Sequence, residues 1–256
     1  MDIKKEKHFT YFESNPEKEE QIVLIHGLFG ALSNFSDLVD TFGEDYNVVV
    51  PILPLYTLEI KDTSIDGFLK YLEEFIDNKG YKGFHILGNS LGGHIAQLYT
   101  LKHQEKVTTM TLTGSSGLFE SGMGDGYPKR GDYNYIKRKT EETFYNPKIA
   151  TKEQVDEVFE IVNNREKAIR IIYTAKSALR HNLEDQLYKI NIPTLLVWGE
   201  QDTITPKFVG EKFHKLIKGS ELVIIDKCCH APMMEVPVEF NNVLADFLLR
   251  NTNLTK

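Results

Sequence analysis

Gly88-Asn89-Ser90-Leu91-Gly92-Gly93 is the stretch that decides how this chain folds. It follows a buried-type apolar run over residues 83–89. It opens a segment, 91–103, in which Leu91, Ile95, Leu98 and Leu101 recur at helical spacing. A serine on a sharp strand-to-helix turn sits in a strained backbone, and glycines beside it avoid collisions with neighbouring segments. The start of the following helix also favours negative charge developing next to the serine. G-x-S-x-G occurs by chance as well, as a glycine-rich turn with an incidental serine. The strand before it and the helix after it are what give Ser90 weight as a nucleophile.

Outward from this turn, strands and helices alternate, which predicts an α/β fold with a mostly parallel, twisted sheet flanked by helices. Upstream lie a short leading strand over 8–13, a strand over 21–26 built on Ile22-Val23-Leu24-Ile25, a helix over 33–42 and a strand over 46–51. An amphipathic helix carrying Ile65, Phe68, Leu69, Leu72, Phe75 and Ile76 comes next. Downstream, a strand over 107–113 is followed by a long stretch, 114–191, without strand patterning. Thr151 and Gln154 there form a capping-box pattern, and Ile169, Ile172, Ala175 and Leu179 are spaced for a helix. Residues 114–191 therefore read as a helical insertion in a core made of 1–113 and 192–256. The alternation resumes with a strand over 193–198. Thr205 is the expected N-cap, with Pro206 at the first helical position, of a helix bearing Phe208, Val209, Phe213, Leu216 and Ile217. A last strand over 221–225 and a final amphipathic helix with Phe240, Val243, Leu244, Phe247 and Leu248 complete the pattern.

Bulk composition narrows the function classes. The 256 residues are 41% hydrophobic and 26% charged, ordinary for a globular chain. A formal charge of −7 with no long Lys/Arg block gives no footprint for nucleic acid. No apolar run is long enough for a membrane span, and the first residues carry no apolar leader. Cys228 and Cys229 are adjacent, which disfavours a bridge between them and suits a reducing, cytoplasmic setting. A zinc site joining them to His230 is disfavoured because consecutive side chains diverge and no second ligand cluster exists.

A serine hydroxyl needs a base in hydrogen-bond reach and a group to orient that base. After a nucleophile on such an elbow, the acid and then the histidine follow in chain order. Glu200-Gln201-Asp202 stands just past the strand ending in Trp198-Gly199. Asp202, immediately before the turn into the next helix, is the expected acid, and Glu200 its rival. The strand over 107–113 is followed by no carboxylate until Glu120, so the earlier acid position is empty. His230 lies in the loop after the last strand, at the end of the sheet where open α/β folds bind ligands, and is the expected base. The other histidines sit at the terminus, within strands, on helices or in another motif. Backbone N–H groups to hold an oxyanion are expected from Leu91 and, in His26-Gly27-Leu28-Phe29-Gly30, from Leu28, with Phe29 second. Phe29, Asn89 and Arg180 are candidate pocket residues.

With these motifs in hand, the chain resembles the α/β-hydrolase superfamily from Gln21 to its C-terminus. The resemblance rests on 26–30, 88–93, Trp198-Gly199-Glu200-Gln201-Asp202 and His230-Ala231-Pro232-Met233-Met234-Glu235-Val236-Pro237 in that order. The first motif is similar to that of small carboxylesterases. The second is similar to that of C–C hydrolases that open meta-cleavage products. The resemblance implies an α/β-hydrolase fold with a helical cap, here 114–191, inserted after the sixth strand. Where family members often carry Asp-x-Arg-Gly-x-Gly-x-Ser, this chain has Pro51-Ile52-Leu53-Pro54-Leu55-Tyr56-Thr57, so the neighbouring pocket edge cannot be copied from relatives. The family's leading hairpin is expected to be reduced to one strand.

The implied reaction is acyl transfer from small, largely apolar esters through an acyl-enzyme, with no metal or organic cofactor. A C–C hydrolase acting on dienoates, with Arg180 as the carboxylate's partner, a thioesterase, and a ligand receptor on a hydrolase scaffold are the alternatives. Nothing in the sequence separates monomer from dimer. The cap's large apolar residues, among them Phe119, Met123, Tyr127, Tyr133, Tyr135, Phe144, Tyr145, Phe159 and Tyr173, are expected mostly to pack internally and in part to cover Ser90. Its entry, with Gly114, Gly117, Gly122, Gly124, Gly126 and Pro128, is expected to let it open and close.

Overall fold

The structure is a computed structural model, and it describes residues 2–30, 32–119 and 129–252. Eight strands form one sheet in the order β1-β2-β4-β3-β5-β6-β7-β8. They are β1 (Ile3–Glu6), β2 (Phe9–Glu13), β3 (Gln21–Ile25), β4 (Asn47–Pro51), β5 (Phe84–Asn89), β6 (Val107–Thr113), β7 (Thr194–Gly199) and β8 (Glu221–Ile225). β1–β2 and β2–β4 pair antiparallel, and every pairing from β4 to β8 is parallel. A leading hairpin is therefore present, not the single strand expected. β1 reads Ile3-Lys4-Lys5-Glu6 and is nearly all exposed. It carries no apolar alternation because it is a charged edge strand, the kind that resists pairing with other chains.

The central strands bury both faces, and their period of two assigns side chains to two cores. Val23 and Ile25 of β3, Val49 of β4, and Leu196 and Trp198 of β7 face one cluster. Ile22, Leu24, Val48, Val50, Leu195 and Val197 face the other. The first is closed by α2 (Ile65–Lys79), α3 (Leu91–Lys102) and α7 (Lys207–Leu216), through Phe68, Leu72, Phe75, Ile95, Tyr99, Val209 and Phe213. The second is closed by α1 (Ser36–Phe42) and a C-terminal helix over Pro237–Thr252. Ser64 caps α2 by accepting from the Gly67 N–H, and Gly80 ends it in the left-handed region. Among the described residues, no helix is long and apolar enough to cross a membrane.

Between β6 and β7 the described residues hold helices and no strand. The α-helices among them are α4 (Tyr133–Glu141), α5 (Lys152–Asn163) and α6 (Arg165–Arg180), with short 3-10 turns at Pro147–Ile149 and Leu187–Lys189. The capping box forms as expected, Thr151 with Gln154. The three helices share a small cluster of Ile136, Val158, Ile161, Val162 and Ile171. From Ala178 onward the chain packs into the main core through Leu183, Leu187 and Ile190. Phe144 also belongs to a main cluster, and Tyr145 and Tyr173 are exposed. Gly122, Met123, Gly124, Gly126, Tyr127 and Pro128 lie outside the described residues.

One buried carboxylate locks the sheet edge. Glu13 on β2 accepts hydrogen bonds from Asn47, Tyr81, Lys79 and Lys4 at 2.8–3.2 Å. Burial pushes its pKa up, but these hydrogen bonds outweigh it and lower the carboxyl from 4.5 to about 2. Between those values the unfolded chain binds the extra proton. The contribution is therefore complete above about pH 4.5 and is lost as pH falls towards 2. Glu13→Gln is expected to cost about 2 kcal/mol at pH 7 and clearly less at pH 3. Denaturant unfolding at the two pH values checks this, and equal losses would refute it.

Candidate active site

The site assembles at the C-terminal ends of β5, β7 and β8. β5 ends at Asn89 and α3 begins at Leu91, so Ser90 alone reverses the chain. It does so at φ 55°, ψ −123°, a conformation that persists only where the surroundings over-determine it. Those surroundings are packed backbone. A Cβ on Gly88 would stand 2.5 Å from the Gly92 carbonyl oxygen, and one on Gly92 would stand 2.0 Å from that of Ile25. The Ser90 N–H donates to the Thr113 carbonyl at 3.2 Å, and its own carbonyl accepts from Gly93 and Ser116.

Asp202 and His230 are both buried and directly bonded. Asp202 Oδ1 accepts from the N–H groups of Ile204 and Thr205 at 2.8 and 2.9 Å. Oδ2 accepts from Thr205 Oγ1 at 2.9 Å and from His230 Nδ1 at 3.0 Å. An ionised carboxylate only accepts, so His230 Nδ1 is the donor in this bond. Thr205 Oγ1 also lies 3.3 Å from His230 Nδ1. The expected N-cap role of Thr205 is thus corrected: α7 starts at Lys207 with Pro206 at its cap and no side-chain cap bond. The Thr205 hydroxyl is committed to Asp202 instead.

The His230 loop is held from several directions. Its N–H donates to the Thr143 carbonyl at 3.1 Å, just past α4. Its carbonyl accepts from Asn89 Nδ2 at 3.1 Å, and the same amide nitrogen reaches the Thr113 carbonyl at 3.0 Å. Gly114, at φ +50°, lies so close that a Cβ there would be 2.9 Å from His230 Nδ1. Glu235 accepts from the Cys229 N–H at 2.8 Å and the Tyr145 N–H at 2.7 Å, while burial pushes its carboxyl pKa up against those bonds. The Cys229 thiol points to the Gln201 carbonyl at 3.3 Å.

Across from Ser90, the 26–30 loop is fixed from within. His26 Nδ1 donates to the Gly27 carbonyl at 2.9 Å, and Nε2 accepts from the Leu53 N–H at 2.9 Å. Burial holds this imidazole below its ordinary pKa, against the smaller opposing effect of the bond to Gly27. Gly27 lets the loop approach: a Cβ there would be 3.2 Å from Ser90 Cβ. A cavity of about 130 Å³ opens beside Ser90. Leu28 and Leu91 line it, with Ser116 and Phe119 from the loop after β6, Thr174, Ala175, Ala178 and Leu179 from α6, and Ile204 and Thr205.

The geometry sorts the candidates. Ser90, Leu28 and Leu91 share this cavity, and Thr205 carries its wall to Asp202 and His230. Glu200 is exposed and paired with Lys207 at 2.6 Å. Asn89 does not line the cavity, because its amide ties β6 to the His230 loop. Phe29 packs against the α4–α6 cluster. Arg180 is exposed at the end of α6 and is not among the residues that line this cavity. Thr205 was open to discovery from sequence only as a hydroxyl three residues past the acid. The supports from Thr143 and Glu235 carry no local signal.

Comparison with known proteins agrees with this architecture. Residues 21–141 and 129–237 match the family model described as alpha/beta hydrolase fold. The chain is 26% identical over 245 residues to Lipase 3 of Moraxella sp., covering 88% of this chain and 76% of that protein. It is 25% identical over 290 residues to the monoacylglycerol lipase ABHD6 of Bos taurus, covering 97% and 82%. Among solved structures, MGS-MChE2, an alpha/beta hydrolase enzyme from the sediment metagenome of the Mar Chica lagoon, Morocco, superposes with a TM-score of 0.80. It is 41% identical, over 98% of this chain and 99% of that one. The meta-cleavage product hydrolase CumD of Pseudomonas fluorescens IP01 reaches a TM-score of 0.83 at 19% identity over 95% of each chain, a likeness of fold alone.

Proposed function

The chain belongs to the alpha/beta hydrolase family, and we propose that it cleaves carboxylic esters of small, largely apolar substrates through an acyl-enzyme on Ser90. The observation that carries this reading is the buried Thr205–Asp202–His230 chain of hydrogen bonds beside a strained serine on an apolar cavity. His230 Nε2 takes the Ser90 proton as the hydroxyl attacks the ester carbonyl. The oxyanion is held by the N–H groups of Leu28 and Leu91. The alcohol leaves with the proton from His230, and water then releases the acid by the same steps in reverse roles. Asp202 holds the Nδ1–H tautomer and stabilises the imidazolium. The relatives named lipases support ester cleavage.

Substrate size follows from the cavity. About 130 Å³ is close to the space that accepts a benzene ring. Helices α4–α6 act as the cap, because α6 supplies one wall. Among the described wall residues none is charged, which favours apolar esters over a dienoate bearing a carboxylate. Short aryl esters, a meta-cleavage dienoate and an acyl-CoA assayed side by side test the reading, and the aryl esters are expected to be turned over best. Leu179→Ala is expected to reorder a panel of acyl lengths while changing the phosphonylation rate of Ser90 by less than about threefold. A preferred dienoate, an unchanged ranking, or tight ligand binding without turnover of any ester would each overturn part of it.

A further inference from the structure

The segment that departs from the family pattern, 51–57, touches both the 26–30 loop and the cap. Its first contact is the Leu53 N–H, which donates to His26 Nε2 at 2.9 Å, while His26 Nδ1 holds the Gly27 carbonyl. The second is the Tyr56 hydroxyl, which donates to the Leu28 carbonyl at 2.5 Å. The neighbouring segment therefore pins the Leu28 carbonyl directly and steadies the Gly27 carbonyl through His26. A planar trans peptide points its carbonyl and the next N–H in opposite directions. Holding the carbonyls of Gly27 and Leu28 thus sets the N–H groups of Leu28 and Phe29, the two candidates for the second oxyanion donor.

The segment is itself rigid. Leu53 and Leu55 are buried in the main core, and the Pro54 carbonyl accepts from both Thr57 and Leu58 to close the turn that presents Tyr56. On its other side the segment is held by the cap. Arg170 Nε of α6 donates to the Leu58 carbonyl at 2.8 Å. Lys167 Nζ stands 5.7 Å from the centre of the Tyr56 ring, within the range of a cation–π contact. The Tyr56 ring also packs against the cluster that α4–α6 share, together with Leu28 and Phe29.

We propose that Tyr56 is a positioning residue that holds the Leu28 carbonyl, and with it the Phe29 N–H of the same peptide and the Leu28 backbone from which the Leu28 N–H projects, and that this setting depends on the seating of cap helix α6. The proposal rests on the ester-hydrolase reading above. With α6 in place, Lys167 and Arg170 hold the 56–58 turn, and the Tyr56 hydroxyl reaches Leu28. With α6 displaced, the hydroxyl withdraws and the 27–29 peptides lose one of their two anchors. The oxyanion donors are then fully arranged only over a covered substrate.

Tyr56→Phe removes the hydroxyl and leaves the ring. Deleting an oxyanion donor outright costs about 10²–10³ in kcat, so misorienting one is expected to lower kcat about tenfold with KM nearly unchanged. A trifluoromethyl ketone, which forms an oxyanion with the serine, is expected to bind about tenfold more weakly to this variant. The alcohol product, which carries no oxyanion, is expected to bind as before. A packing defect would not separate these two ligands. Arg170→Met is expected to lower kcat in the parent and to have no further effect in Tyr56→Phe, a non-additive cycle. Unchanged ketone affinity in Tyr56→Phe would overturn the positioning role, and additive effects of Tyr56→Phe and Arg170→Met would overturn the dependence on α6. The endpoint of phosphonate labelling at Ser90, read by peptide mass in parent and variant, separates this from the underlying reading. Failure of the parent to label would overturn both, whereas full labelling with unchanged ketone affinity overturns Tyr56 alone.

Discussion

Ser90→Ala is expected to lower kcat for a short aryl ester by about 10⁶ and to abolish labelling by an organophosphonate. The change keeps the Cβ that faces Gly27 at close range and asks no more of the backbone than serine does at φ 55°. The fold should therefore survive, and the variant's unfolding midpoint should match the parent's. Loss of activity with the fold intact isolates the hydroxyl. The label should appear on the peptide containing Ser90 in the parent and nowhere in the variant. Full turnover by Ser90→Ala would end the acyl-enzyme reading. A parent that neither labels nor turns over esters, yet binds a small ligand tightly, would point to the receptor alternative.

How much of this was legible in the sequence depended on whether a residue's reason for being there was local. The parallel strands β3, β4 and β7 announce themselves because burial on both faces demands runs such as Ile22-Val23-Leu24-Ile25. The Ser90 elbow is legible because close approach of α3 to β5 admits only glycine at 88, and its approach to the end of β3 only glycine at 92. Edge strand β1 was not, since Lys4, Lys5 and Glu6 leave no apolar pattern. Thr205 followed by Pro206 has the form of a helix start, and a tertiary demand overrode it: the hydroxyl is needed by Asp202. Arg180 ends α6 facing solvent, where the helix's rotation placed Thr174, Ala178 and Leu179 towards Ser90 instead. Tyr56 was visible only as a departure from a family pattern. Its partners, Leu28, Lys167 and Arg170, come from distant parts of the chain and meet only in the fold.

Asp202→Asn is expected to lower kcat by about 10⁴, the cost of the same change in a well-studied triad, while Glu200→Gln should change it little. The hydrogen bonds explain the difference. In the variant, the amide oxygen can still accept from the Ile204 and Thr205 N–H groups, so the turn after β7 keeps its shape. The amide nitrogen then occupies the place of Oδ2 and confronts the Thr205 hydroxyl and His230 Nδ1 with a donor. The Thr205 hydroxyl can rotate and accept. His230 can accept only by moving its proton to Nε2, the nitrogen that must take the proton from Ser90. The imidazole would sit in place in the wrong tautomer, and the imidazolium formed during attack would have no carboxylate beside it. Glu200 has no such leverage, because its carboxylate is spent on Lys207 at the surface. Steady-state kinetics of the two variants, with circular dichroism to confirm their folds, decide the matter. A crippled Glu200→Gln and an active Asp202→Asn would mean that the wrong carboxylate has been assigned. A smaller loss in Asp202→Asn that recovers at high pH would instead show that tautomer control matters less than the negative charge beside His230.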